Sequence, residues 1–116
     1  MKHLTQLQIL NLSSNFIEDA GATALALELK HLVQLHTLQL NWNGIKADGA
    51  KALAVEFSHI VQLQVLDLSG NNIGAEGAIA LVSESSYLVQ LRTLDLPVQL
   101  RTLDAAESKY LLHLRT

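Results

Sequence analysis

The sequence predicts an α/β solenoid, in which every repeat adds one short strand and one helix to a stack. The first observation is the repeat itself: residues 4–31, 32–59 and 60–87 form three units of 28 residues that align without insertion or deletion. The second is a change of period within each unit, from leucines two residues apart to apolar residues three or four apart. One unit of this size is too small to bury its own apolar face, so neighbouring units must bury it together.

Each repeat opens with the pattern of a strand. Leu10 and Leu12 point to the same face of an extended chain, whereas Asn11 points to the other face. The same spacing returns in the next two repeats and at the start of a fourth unit. We therefore expect four parallel strands, at residues 9–12, 37–40, 65–68 and 93–96.

A helical pattern follows each strand. Gly21, Ala22, Leu25 and Leu29 recur at helical spacing in the first repeat. The glycine near the start of each helix stands alone, without the spacing of a phosphate-binding loop, so we interpret it as a site of close backbone packing. In the third repeat Ser85 replaces the core residue Leu29, so we expect the third helix to be poorly anchored at its end. Helices are expected at residues 19–30, 47–58, 75–86 and 104–114.

The repeat pattern LxxLxLxxNxI, followed by GAxALA, resembles the leucine-rich repeat, in particular its ribonuclease-inhibitor-like class. That class also occurs in the C-terminal regions of NOD-like receptors and in Ran GTPase-activating proteins. The resemblance covers residues 4–96. It implies an α/β leucine-rich-repeat solenoid of about three and a half repeats, with a parallel sheet on the concave side and helices on the convex side. Strand–helix–strand units of a parallel sheet cross over with a right hand, and we expect the solenoid to have the same handedness.

The length of 116 residues predicts a single leucine-rich-repeat domain over residues 1–116. It comprises the three repeats and, at 88–116, a degenerate fourth unit with a terminal helix. The fourth unit leaves the pattern because VQLRTLD at 89–95 recurs at 98–104. This duplicated segment and the unpaired edge of the first strand predict a possible homodimer through exposed terminal edges, by strand addition or by exchange of the C-terminal segment.

An asparagine follows each of the first three strands, at Asn15, Asn43 and Asn71. The chain turns inward there, and a buried turn leaves backbone groups without partners. Because an asparagine amide both donates and accepts hydrogen bonds, we interpret the three residues as a structural ladder.

Composition and charge indicate which classes of function are not expected for this chain. A net charge of −3 argues against a nucleic-acid partner, and no apolar run approaches the about 20 residues of a membrane span, so no membrane partner is expected. The absence of cysteine excludes a disulfide framework and fits a cytoplasmic location. No enzyme activity, cofactor or metal is expected. The histidines that recur every 28 residues are offset by at least one strand spacing of about 5 Å, too far apart to converge on one ion.

Side chains that point away from the core form the predicted partner-binding surface. They do not follow the repeat, so their identities are free to serve recognition: Asn11, Thr37, Gln39, Asn41, Trp42, Val65, Asp67, Thr93 and Asp95. Trp42, the only tryptophan, is either a binding anchor or a cover for the loop edge beside it. Asp67 and Asp95 are equivalent residues of adjacent units and form either an acidic patch or two ordinary solvated side chains.

The favoured function is a protein–protein interaction module that binds a protein partner, of unknown identity, through the concave face. The alternative is a fragment of a GTPase-activating protein or of a NOD-like receptor sensor region. A GTPase-activating protein often places an arginine at the nucleotide of its partner. Arg92, Arg101 and Arg115 all lie in the irregular end, which counts against that alternative. A fragment without an independent role is a further possibility.

Overall fold

In the computed structural model, which describes residues 5–97, each of the three repeats folds as a strand, a helix and a 3-10 turn. The strands are β1 (Ile9–Asn11), β2 (Thr37–Gln39), β3 (Val65–Asp67) and β4 (Thr93–Asp95). The helices are α1 (Glu18–Glu28), α2 (Ala47–Ala54) and α3 (Gly74–Glu84). The 3-10 turns that follow them are Leu29–His31, Phe57–His59 and Ser85–Tyr87.

The elements lie where the sequence predicts them, with shorter bounds. Every strand ends one residue before its predicted end, because the chain turns at once: Ser14 and Trp42 already have positive φ angles of 59°. The helices end before residues 30, 58 and 86, because the last predicted turn is wound as a 3-10 turn. Such tightening is common at helix C-termini. The predicted helix at 104–114 lies outside the described residues.

The four strands form one parallel sheet in chain order. Each residue pairs with the residue 28 positions later, as Leu10 with Leu38 and Leu38 with Leu66. Because the register equals the repeat length, equivalent side chains stack in rows across the sheet. The leucine row faces inward, and the rows on either side of it face solvent.

The sheet lies on the inner side of the curve. Neighbouring strands are about 4.8 Å apart, whereas packed helices are about 8–10 Å apart. Since α1 packs on α2 and α2 on α3, the stack must bend toward its strands. Within residues 5–97 the longest helices have 11 residues, and none has the length and apolar character needed to cross a membrane.

The core is made by neighbouring repeats together. Leu38 and Leu40 of the second repeat are completely buried, whereas Leu10 and Leu12, their equivalents in the first repeat, are only partly buried. Phe57, at the end of the second repeat, is also buried. A leucine of this sheet is therefore fully removed from water only when a repeat lies on each side of it.

The glycine that recurs in each helix permits close packing between repeats, as predicted. At Gly77 a Cβ atom would clash with the side chain of Ile73 and would lie 3.2 Å from Ala47 Cα and from Ala50 Cβ. The helix of one repeat can therefore approach the backbone of the previous repeat only where the side chain is absent.

Ser85 occupies the same inward position as Leu29 and Phe57, and the weak anchor that the sequence predicts there stays a prediction. Ser85 is buried, and its hydroxyl donates a hydrogen bond of 2.6 Å to the carbonyl oxygen of Val82. A buried hydroxyl with a partner is tolerated in a core, so the position keeps its inward orientation without an apolar side chain.

Candidate partner-binding face

Two rows of outward side chains form a surface that we call the sheet face. The first row is Ile9, Thr37, Val65 and Thr93; the second row is Asn11, Gln39, Asp67 and Asp95. Seven of the nine predicted site residues belong to these rows. The other two, Asn41 and Trp42, follow β2 in the loop at the carboxyl end of the strand. The parallel register therefore brings all nine to one face and its edge.

Asp67 and Asp95 lie directly opposite each other in the register of β3 and β4. Both are half-buried, and within residues 5–97 neither takes part in an ion pair. Asp67 Oδ1 accepts hydrogen bonds from the backbone N–H and the hydroxyl of Ser69, at 3.0 and 2.7 Å. Like charges in directly opposed positions destabilise a sheet. This end of the sheet face is thus a place where a cation from outside would be favourable.

The other end of the sheet face is neutral and held by hydrogen bonds. Asn11 Oδ1 accepts a bond of 3.0 Å from the backbone N–H of Ser13. The hydroxyl of Ser13 donates across the repeat boundary to Asn41 Oδ1, at 2.7 Å. These contacts fix the side chains of Asn11 and Asn41, which are therefore already oriented before any partner arrives.

Trp42 is exposed over 65% of its surface although its indole ring packs on a neighbour. The ring lies over Gly70, where a Cβ atom would collide with it. The interpretation of Trp42 as a cover for the loop edge is therefore confirmed, because one face of the indole covers Gly70. Its role as a binding anchor stays a prediction, and the rest of the ring faces solvent. Its backbone N–H donates to Ser69 O at 3.0 Å, so both the backbone and the ring of Trp42 contact the third repeat.

The backbone of Trp42 is strained. Its φ of 59° lies in the left-handed region, which its equivalents Ser14 and Gly70 share at 59° and 72°. The repeat therefore imposes this conformation, and a bulky residue rarely adopts it. A large exposed side chain kept at such a position is typical of a functional site.

Phe16 is a second exposed aromatic residue that the sequence interpretation missed. It is 88% exposed and has a φ of 54°, where the next repeat has Gly44 with a φ of 69°. The available signal was the repeat alignment, which places phenylalanine opposite glycine. Phe16 and Trp42 both lie in the loops that follow the strands, so the carboxyl edge of the sheet carries two exposed rings. We call this pair of loops the aromatic edge.

The asparagine ladder is confirmed for the two inner repeats. Asn43 and Asn71 are buried, whereas Asn15 is exposed. Asn71 Oδ1 accepts from the backbone N–H groups of Asn43 and Ile45, both at 3.0 Å. Each asparagine therefore ties the loop of the preceding repeat to its own, which fixes the loop that carries Trp42.

A helix cap that crosses the repeat boundary was also missed. Asp19 Oδ1 accepts from the backbone N–H groups of Lys46 and Gly49, at 2.7 and 3.0 Å. These are donors at the first turn of α2, whose own N-cap residue offers no side-chain bond. The signal was present only as an acid that replaces the alanines Ala47 and Ala75 of the later repeats.

Comparison with known protein families identifies the same three repeats. The family model for the leucine-rich repeat matches residues 3–26, 31–54 and 62–82, which is more than half of the chain. Comparison with curated proteins finds no match. Leucine-rich repeats form an interaction fold and suggest a protein–protein interaction module. The matched repeats, the parallel four-stranded sheet and the three helices together establish that the chain belongs to the leucine-rich repeat family and folds as an α/β solenoid of about three repeats.

Proposed function

We propose that the protein binds a protein partner through the sheet face, with Trp42 as its anchor. The observation that carries the proposal is the state of Trp42: 65% exposed, held over Gly70 and kept in a left-handed conformation that costs stability. Exposed tryptophan is a frequent anchor of protein interfaces, because it offers a large contact area and loses little conformational entropy on binding.

The partner segment that suits this surface carries a lysine or an arginine. Asp67 and Asp95 stand side by side, and a cation placed between them relieves their mutual repulsion. Asp67 is also close in the chain to Ser69 and Gly70, which contact Trp42, so a basic side chain at the carboxylates lies near the indole. A cation beside an indole face gains a further attraction.

The proposal includes no catalysis. Two adjacent carboxylates perform acid–base chemistry when their surroundings separate their pKa values, which requires exclusion of water. Asp67 and Asp95 lie on an open sheet face with only partial burial. Recognition of a charged group is the chemistry that such a pair supports best.

We also propose that the repeats belong to the ribonuclease-inhibitor-like class. The support is a repeat of 28 residues and an α-helix of 8–11 residues in each of the three repeats. The alternative that the chain is part of a GTPase-activating protein predicts acceleration of GTP hydrolysis by a partner GTPase. Our proposal predicts no acceleration in that assay.

Selection from a displayed random peptide library tests the proposed function and requires no identified partner. We expect the selected peptides to combine a lysine or arginine with an apolar residue. Trp42→Ala should weaken their binding at least tenfold, as truncation of a central anchor does. The combined change Asp67→Asn and Asp95→Asn should weaken binding and remove most of its dependence on salt.

Leu27→Ala is the matched control, because Leu27 is exposed to a similar extent, 60%, but lies in α1 on the opposite side of the repeat. Asp48→Asn is the control for the carboxylates, since Asp48 is exposed in α2. Binding that survives Trp42→Ala and is lost with Leu27→Ala would place the interface on the helices and refute the proposal.

A further inference from the structure

Asn43 is followed by Gly44, and it is the only asparagine of the chain that a glycine follows. The other asparagines precede larger residues; they are Asn11, Asn15, Asn41, Asn71 and Asn72. In an asparagine–glycine pair the glycine nitrogen can attack the side-chain amide carbon of the asparagine, because glycine has no side chain to obstruct the approach. The chain therefore carries one asparagine that is chemically prone to deamidation.

Deamidation at this pair would replace the side-chain amide by a carboxylate. The Gly44 nitrogen forms a bond to Asn43 Cγ, the Cγ–Nδ2 bond breaks, and Nδ2 leaves as ammonia together with the proton of the Gly44 nitrogen. Water then opens the resulting succinimide ring at either of its carbonyl carbons. The product is an aspartate or an isoaspartate, in which the main chain continues through Cγ. Water is the only co-reactant.

The folded structure engages the amide group that must react. Asn43 Nδ2, the atom that would leave, donates hydrogen bonds to Leu12 O and Leu40 O at 2.9 and 3.0 Å. The side chain is 1% exposed, so water has little access to it. Because the reaction turns Cγ toward the Gly44 nitrogen and expels Nδ2, it breaks both bonds. Deamidation of Asn43 therefore requires that the loop opens first.

The backbone around Gly44 is held as well. Asn71 Oδ1 accepts hydrogen bonds from the backbone N–H groups of Asn43 and Ile45, the residues on either side of Gly44, both at 3.0 Å. Opening of such a loop costs free energy. A reaction that proceeds only from the open state is slowed by the factor by which that state is rare, so the ladder should protect Asn43.

The product cannot restore the ladder. An aspartate at this position puts a carboxylate oxygen, which accepts but does not donate, against the carbonyl oxygens of Leu12 and Leu40. Buried acceptors that face each other without a proton between them are destabilising. An isoaspartate also lengthens the main chain within a loop that joins strands of fixed register.

We propose that Asn43–Gly44 is a site of spontaneous deamidation, that the asparagine ladder protects it, and that its conversion permanently weakens the loop that carries Trp42. The ladder then controls the chemical lifetime of the protein in addition to its stability. A chain that opens at this loop can react before it closes again, which makes the opening irreversible.

Peptide mapping by mass spectrometry tests the site, on the full chain kept in mildly alkaline buffer with or without urea. In urea Asn43 should be the first asparagine to convert, and in the native protein it should convert at least about tenfold more slowly. Gly44→Ala should abolish the fast conversion in urea, because the added methyl group obstructs the attack. Equal rates at Asn43 with and without urea, or faster conversion of another asparagine in urea, would overturn the proposal.

Asn71→Ala and Asn15→Ala form a matched pair that tests protection by the ladder. Asn71→Ala frees the backbone on both sides of Gly44, so conversion of Asn43 in native buffer should be at least about tenfold faster. Asn15→Ala removes only donors to carbonyls of its own repeat and should change the rate much less. Both are compared where circular dichroism shows them folded. Equal rates in the two variants would contradict the protection.

The consequence is measured on the converted protein, which ion exchange separates because conversion adds a negative charge. This fraction should unfold at a lower urea concentration than the unconverted protein. Acrylamide should also quench the fluorescence of Trp42, the only tryptophan, more strongly. Asn43→Asp supplies the aspartate product directly and should show both changes. An unchanged unfolding midpoint, or unchanged quenching, would overturn the claim that conversion weakens this loop.

Discussion

At the scale of single residues, Asn43 joins two repeats with one amide group. Its Oδ1 accepts from Asn15 N and Ile17 N at 2.7 and 3.3 Å, and its Nδ2 donates to Leu12 O and Leu40 O at 2.9 and 3.0 Å. The side chain is 1% exposed, so water cannot replace these bonds. The ladder residue is therefore a structural element of the loop that carries Trp42.

Asn43→Ala should lower the free energy of unfolding by about 3 kcal/mol, because it leaves several buried backbone groups without partners. Asn15→Ala should cost about 1 kcal/mol, since Asn15 is exposed and donates only to carbonyls of its own repeat. Urea unfolding followed by circular dichroism compares the two. Equal losses would contradict the role assigned to the buried member of the ladder.

Substitutions at Gly70 and Gly74 distinguish the stability cost of backbone strain from the cost of a clash with the indole. Both have positive φ, 72° and 75°, but only at Gly70 would a Cβ atom collide with Trp42; at Gly74 nothing lies within 4 Å. We expect about 1 kcal/mol of destabilisation for Gly74→Ala, from strain alone, and about 2 kcal/mol or more for Gly70→Ala.

In a Trp42→Ala background the excess cost of Gly70→Ala should disappear, because the ring that it displaces is gone. The double-mutant cycle is measured by chemical denaturation. Additive effects of Trp42→Ala and Gly70→Ala would mean that the indole does not rest on Gly70 in solution.

At the scale of elements, α2 depends on a residue of the preceding repeat. Asp19→Ala removes the acceptor for two backbone donors at the start of α2 and should cost about 1 kcal/mol. Asp48→Ala is the control, since Asp48 is an exposed acid of the first turn of the same helix and should cost less. Thermal unfolding distinguishes them; a larger loss for Asp48→Ala would contradict the cap.

Most of the elements follow from the sequence because the repeat fixes length, register and face at once. Leucines two apart predicted the strands, and the apolar spacing after Gly21, Gly49 and Gly77 predicted the helices. The 3-10 turns were not predicted, because 3-10 and α-helical turns share almost the same apolar spacing. The cap by Asp19 was not predicted either, since its donors are about 27 residues away in the chain.

At the scale of the whole molecule, stability depends on how many repeats flank a position. Leu38 lies in β2 with a strand on each side and is completely buried, whereas Leu10 in β1 is only partly buried. Leu38→Ala should cost about 3 kcal/mol, and Leu10→Ala about half as much. Denaturant unfolding measures both. Equal losses would mean that β1 is covered to the same extent as β2.

The sheet face was predictable to the residue, because a parallel register of 28 places all outward positions in rows. The aromatic edge was predictable only in part. Trp42 stood out by its type, but the sequence indicates the left-handed backbone at Trp42 and Phe16 only indirectly, through the glycines Gly70 and Gly44 that align with them in the next repeat. The rows of the sheet face could therefore be predicted from the periodicity of the sequence. The backbone strain that makes the aromatic edge a functional candidate was recognised only in the structure.

The central claim, that the sheet face binds a protein partner with Trp42 as its anchor, is tested most directly by the fluorescence of Trp42, the only tryptophan of the chain. Titration with a selected peptide that lacks tryptophan should shift the emission to shorter wavelength, because binding removes the 65% exposed ring from water. The same titration of the Asp67→Asn, Asp95→Asn variant should need a higher peptide concentration. Unchanged emission while calorimetry shows the peptide bound would contradict the claim.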